Sequence, residues 1–252
     1  AFAEDMLMKS GKYRRRFYRD WIKNSGLYEL RITDKETDLQ ILSDKPANNF
    51  CIKEKIRLYR SQIETYISRD RRFLTALKPI EVELDSRPIV KEMARAAKIA
   101  GVGPMAAVAG AIAQALGRDM LRHGFKEVVI ENGGDIFLHL RKMRLVGIYS
   151  GGKGLWKGLA LKIRPEDTPL GICTSSATIG HSLSFGCADS VVILAKTASI
   201  ADAVATAVGN RVVSKEALGP ALAFARSIKS VFGAVIIYKN KLASYGKVEF
   251  SS

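Results

Sequence analysis

Residues 105–123 have helical spacing, are apolar nearly all round, and are rich in Ala and Gly. A helix without a polar face cannot lie on a surface. It has to be covered on most sides, so the chain must build layers around it. Gly101-Val102-Gly103-Pro104 stops the preceding helix and launches this one. Its small residues Ala106, Ala107, Ala109, Gly110 and Ala111 would admit either a tightly packed second backbone or a flat ligand. Tight helix packing is the more ordinary use of such a stripe.

The flanking patterns supply the layers. Residues 27–33 and 38–42 read as a hairpin around the turn Asp34-Lys35-Glu36-Thr37. Ile52, Ile56, Tyr59, Ile63, Tyr66 and Ile67 recur at helical spacing, as in a helix lying on a sheet. Residues 81–84 read as strand or loop, and Pro88 opens a helix over 89–100. Further strands are expected at 126–131, 136–140, 143–149, 159–163, 170–173 and 190–194, with 143–149 pairing on beside its predecessor. A helix over 214–230 and a hairpin of 231–238 with 241–245 close the chain. Strands and helices mix without strict alternation. The expected fold is therefore α+β, layered, with a mixed, largely antiparallel sheet and packed helices.

The net charge is +15, with the cationic excess densest in residues 1–78. There Tyr13-Arg14-Arg15-Arg16-Phe17-Tyr18-Arg19-Asp20-Trp21 mixes bases with aromatics. Such an arm suits stacked bases and phosphates, or a neighbouring subunit on which the aromatics pack while the arginines stay wet. No nucleic-acid motif accompanies it, so the second reading is preferred: a homodimer is expected, and nucleic acid is not expected as a partner. Residues 1–25 are read as this arm and 26–252 as one domain. No apolar run reaches the roughly 18 residues of a membrane helix, and no secretion signal is evident. Cys51, Cys173 and Cys187 have neither metal-type spacing nor a disulfide pattern. They read as small buried residues of a cytoplasmic protein.

Candidate chemistry concentrates in residues 174–210. An apolar strand runs through Lys196-Thr197-Ala198 into a small-residue helix that carries Asp202 and Thr206 on one face. A carboxylate and a hydroxyl aimed the same way could offer hard oxygen ligands to Mg²⁺. They fit equally a capping box in which Ser199 caps the helix and Asp202 reaches back. Asn132-Gly133-Gly134-Asp135 is either an ordinary turn or a source of backbone N–H donors beside polar oxygens. Ser175 or Ser176 with His181 lacks a nucleophile elbow. The basic loop 150–157 lacks the ending of a P-loop, and the glycine pair lacks the rest of a dinucleotide fingerprint.

Three segments together resemble the ApbE-like superfamily: GVGPMAAVAGAIAQALG from Gly101, ENGGDIFL from Glu131, and CTSSATIGHSLSFGCADSVVILAKTASIADAVATAVGN from Cys173. The likeness is to its short, uncharacterised bacterial and archaeal branch. Classical ApbE proteins are FAD:protein FMN transferases, which use a divalent metal, usually Mg²⁺, to move FMN from FAD onto a threonine of a target protein. The resemblance implies that Asp202 and Thr206 are metal ligands, completed by phosphate oxygens and a backbone carbonyl near Val108. It also implies that Asn132, Gly133, Gly134 and Asp135 line the flavin nucleotide, with Gly110, Thr174, Ser175 and His181 on the same cofactor side. Its partners would be a nucleotide or phosphate ligand and a protein substrate. The chain departs from the family pattern at Ala109 and Gln114, where the transferases carry Lys and Asp. Two alternatives follow. One is a non-flavin enzyme or accessory protein of anaerobic sulfur and homocysteine metabolism, a role associated with this branch. The other is a nucleic-acid binding module acting through the basic arm.

Overall fold

The computed structural model describes residues 26–148, 156, 158–175 and 186–251. The expectations placed on the N-terminal arm, on the basic loop except Trp156, and on His181 lie outside the described residues.

Eight strands form one sheet in the order β1 (Tyr28–Asp34), β2 (Thr37–Ser43), β3 (Val128–Asn132), β4 (Asp135–His139), β7 (Leu170–Ser175), β8 (Ser190–Ala195), β9 (Val231–Tyr238) and β10 (Lys241–Gly246). Every described pairing is antiparallel. Between β4 and β7 the chain leaves this sheet to make β5 (Arg144–Gly147) and β6 (Ala160–Ile163), which with β11 (Phe250–Ser251) form a second, three-stranded sheet. The expected strand at 143–149 thus pairs with β6 rather than with its predecessor β4. Its hydrophobic pattern specifies a strand but carries no information about the partner.

The large sheet is covered on both faces, which is why its central strands are apolar without alternation. In β8, Val191, Ile193 and Ala195 face one core, and Val192 and Leu194 the other. The second core is closed by Val146, Leu161 and Ile163 of the small sheet. On the first face lie the helices: α1 (Asn49–Arg69), the short α2 (Arg72–Thr75), α3 (Pro88–Ala100), α4 (Val108–Arg122), α5 (Ala198–Arg211) and α6 (Leu218–Ser227). The result is an α+β protein in three layers: helices, large sheet, small sheet. Among the described residues, no single helix is long and apolar enough to cross a membrane.

Two helices differ from expectation at their ends. The apolar helix begins as a 3₁₀ turn, Pro104–Ala107, and becomes α-helical at Val108. Gly103 lets the start of this turn press against the end of α2, since a Cβ there would stand 1.7 Å from the Ala76 carbonyl oxygen. The helix expected over 214–230 is confined to Leu218–Ser227. Residues 81–84 are loop.

Candidate functional site

The site is built where α5 is wedged between the sheet and α4. Strand β8 ends at Ala195, and Thr197 turns the chain into α5 by accepting a hydrogen bond from the Ile200 N–H, at 3.3 Å. Ser199, expected to cap this helix, instead donates to Glu92 on α3. Capping by Thr197 Oγ1 contributes on the order of 1 kcal/mol. Thr197→Ala is therefore expected to lower stability by about 1 kcal/mol in urea unfolding while leaving any response to cations intact; a loss of that response would tie Thr197 to the site itself.

Two glycines permit the wedge. A Cβ on Gly171 of β7 would lie 2.2 Å from the Ala198 nitrogen, and one on Gly110 of α4 would lie 2.2 Å from the Ala198 oxygen. Both are far inside contact distance, so Ala198 sits in a gap that only missing side chains leave open. Gln114 fixes the same point, accepting a 2.8 Å hydrogen bond from the Ala198 N–H. Through this bond Gln114 holds the two helices together.

From Ala198, α5 runs along β7. Ala198 lies over Gly171, and Gly209 passes near the Ser175 hydroxyl, which stands 4.0 Å from where a Gly209 Cβ would be. At about 1.5 Å per helical residue and about 3.3 Å per strand residue, such a path carries Asp202 to the level of Cys173. Nearly all of α5 is buried, and the partly exposed positions 202, 206 and 210 are four apart, so Asp202 and Thr206 do share its open face.

Asp202 caps a helix, though not its own. Its Oδ2 accepts from the Gly110 N–H at 3.0 Å, and the Ala109 amide also reaches it. These are first-turn amides of α4, whose own N-cap, Ala107, has no side chain able to cap. Cys173 of β7 and Asp135 of β4 complete a cluster with Asp202 in which one donor atom from each lies within 4.8 Å of the others. Asp135 and Cys173 face each other across the β4–β7 ladder. Burial pushes the Asp202 carboxyl well above the usual carboxylate range, and the charge of Asp135 adds to this, against the two amides. The Cys173 thiol is driven up by burial and by both carboxylates.

Asn132 and Asp135 bracket the two-residue turn Gly133–Gly134, whose φ angles of +69° and +105° suit the primed turn of a hairpin. Gly134 is well engaged: its N–H donates to Glu131 Oε1 at 2.8 Å, and its oxygen accepts from the Thr174 N–H at 3.0 Å. That leaves the donor role expected of the glycine pair to Gly133. Asn132 Nδ2 donates to the Ala109 oxygen at 3.1 Å, tying the turn to the start of α4, where Val108 stands two residues ahead of Gly110. Thr174 and Ser175, both partly buried, end β7 beside this turn. The expected positions 108, 110, 132–135, 174, 175 and 202 thus converge on one corner, with Thr206 one turn further along α5. Sequence reasoning missed Cys173. Its one local signal was that it opens the third family-like segment.

A predominantly antiparallel sheet with this helical layer, and an acidic corner between α4, α5 and the β3–β4 turn, defines a protein of the ApbE fold. Solved structures of that fold agree: the flavin transferase ApbE from Vibrio cholerae superposes with a TM-score of 0.59 at 14% identity, over 87% of this chain and 96% of its own. The Pseudomonas stutzeri flavinyl transferase ApbE, apo form, gives 0.60 at 11%, over 88% and 95%. The family model described as AbpE bacteria matches residues 19–236, and the chain belongs to that family. Relatives include UPF0280 proteins of Methanocella arvoryzae, 41% identical over 90% of this chain and 91% of theirs, and of Methanocaldococcus jannaschii, 39% identical over 88% and 91%.

Proposed function

We propose that this corner binds a flavin nucleotide through its phosphates, with a divalent cation held by Asp202 and Asp135, and that the protein transfers FMN from FAD to a protein acceptor. The observation that carries the reading is the convergence of two carboxylates from different elements at the first turn of α4, beside the Gly133–Gly134 turn. The names of the ApbE transferases sharing the fold support the choice of flavin. Cleaving a pyrophosphate asks little covalent chemistry of a protein and much charge neutralisation. A bound cation would supply that neutralisation. Among the described residues, no lysine, arginine or histidine acts on Asp202, so a bound cation would find its carboxyl without a cationic partner.

The residues of this chain have separate tasks. Asp202 and Asp135 hold the cation, with Thr206 available on the same face of α5. Asn132 and Gln114 fix the helix start and the helix pair that set the position of Asp202. Gly133 presents the turn to the nucleotide. The protein acts in the cytoplasm, consistent with its free cysteines, and as a homodimer.

Thermal unfolding with FAD, FMN or ADP, each with and without divalent cation, tests the reading. A cation-dependent rise with FAD is expected, at least several degrees at saturating ligand. No rise with any flavin nucleotide under any cation would remove the proposed function.

A further inference from the structure

The donor set at this corner is not the one that the resemblance implies. Asp202, Thr206 and a backbone carbonyl would offer oxygen alone, which suits Mg²⁺. In the structure, the Cys173 thiol joins them, its sulfur within 4.8 Å of an oxygen of each of Asp135 and Asp202. It is 3% exposed, lies in the central strand β7, and faces Asp135 directly across the ladder, while Asp202 descends on it from α5. The close approaches at Gly110 and Gly171 seat α5 tightly against α4 and β7, the strand that carries Cys173.

Sulfur is a poor ligand for Mg²⁺ and a good one for zinc-like ions, which also accept carboxylate oxygens. Building on the metal-assisted reading above, we infer that Asp135, Cys173 and Asp202 form a mixed carboxylate–thiolate site that selects a thiophilic divalent cation, of the Zn²⁺, Fe²⁺ or Co²⁺ class, over Mg²⁺. As the metal–sulfur bond forms, the thiol proton leaves to solvent and no electrons are exchanged. Two carboxylates and one thiolate leave room in a tetrahedral shell for a water or a phosphate oxygen.

The test uses the full chain in a Cys51→Ser/Cys187→Ser background, which leaves Cys173 as its single cysteine. After chelator treatment the protein is titrated with Co²⁺, and Zn²⁺ is then competed against Mg²⁺. The expected result is a near-ultraviolet sulfur-to-cobalt charge-transfer absorption, saturating at one ion per chain and lost on Cys173→Ser. Zn²⁺ should bind far more tightly than Mg²⁺, and Cys173→Ser should reduce that preference by on the order of 10- to 100-fold. The cobalt spectrum needs no substitution at the buried position, so it decides the matter even if Cys173→Ser fails to fold. Co²⁺ binding without the sulfur band would overturn the inference. If Mg²⁺ then still promoted FAD binding, the functional reading would stand without it; if no divalent cation bound at all, both would fall.

Discussion

Asp202→Asn is expected to make the ligand-free protein more stable at neutral pH while removing its response to divalent cations. Burial, and after it the neighbouring Asp135 charge, raise the Asp202 pKa above that of an unfolded chain. The folded state then binds the extra proton over the interval between the two values, so this residue makes stability fall as pH rises through that interval. Below the ordinary carboxylate range the effect vanishes. The α4 amides work in the other direction, since an anion at a helix N-terminus contributes about 0.3–1 kcal/mol; the direction of the shift says that burial and repulsion win. Asparagine keeps an acceptor for the Gly110 N–H and removes the charge. Thermal midpoints of both proteins, compared from acid to neutral pH, should coincide at low pH and diverge in favour of the variant as pH rises. Cation affinity should drop by at least about tenfold, as expected on losing a charged ligand. A variant that is less stable than the parent at neutral pH and still responds to cations would reduce Asp202 to a helix cap.

Local patterns made much of this architecture legible, and the exceptions have a common cause. The all-round apolar character of residues 105–123 correctly placed α4 against neighbouring elements on several sides. The four-residue spacing of Asp202 and Thr206 correctly put both on the open face of a buried helix. Sequence could not say that Asp202 caps α4 rather than α5, because its partner, Gly110, is 92 residues away. The same limit hid the partner of β5, which lies in the second sheet, and the role of Cys173, which depends on standing opposite Asp135. Gln114 looked like a lost acid. Its hydrogen bond to Ala198 across 84 residues shows a structural use for the amide.

Gly171→Ala is expected to be the most damaging single-methyl change on this face of the sheet. The added carbon would meet the Ala198 nitrogen at 2.2 Å, the Thr197 carbonyl carbon at 2.3 Å and the Ala198 Cα at 2.4 Å. All three are backbone, so no rotamer change relieves the clash. Relief requires lifting α5 from β7, yet Ile200, Ala203, Val204, Ala207 and Val208 hold it there by burial, at roughly 1.5–3 kcal/mol for each large aliphatic side chain. Overpacking usually costs about 1–3 kcal/mol, and a clash with fixed backbone belongs at or above the top of that range. Domains have only about 5–15 kcal/mol in all. The variant should therefore unfold at markedly lower urea concentration. Any folded fraction should also bind cations weakly, because a lifted α5 carries Asp202 away from Asp135 and Cys173. Gly219→Ala provides the contrast. Nothing lies within 4 Å of a Cβ at that position in α6, so alanine should be neutral or stabilise by up to about 1 kcal/mol. Equal midpoints for the two variants would mean that α5 does not seat on β7 as closely as described, and the acidic corner would lose its geometric basis.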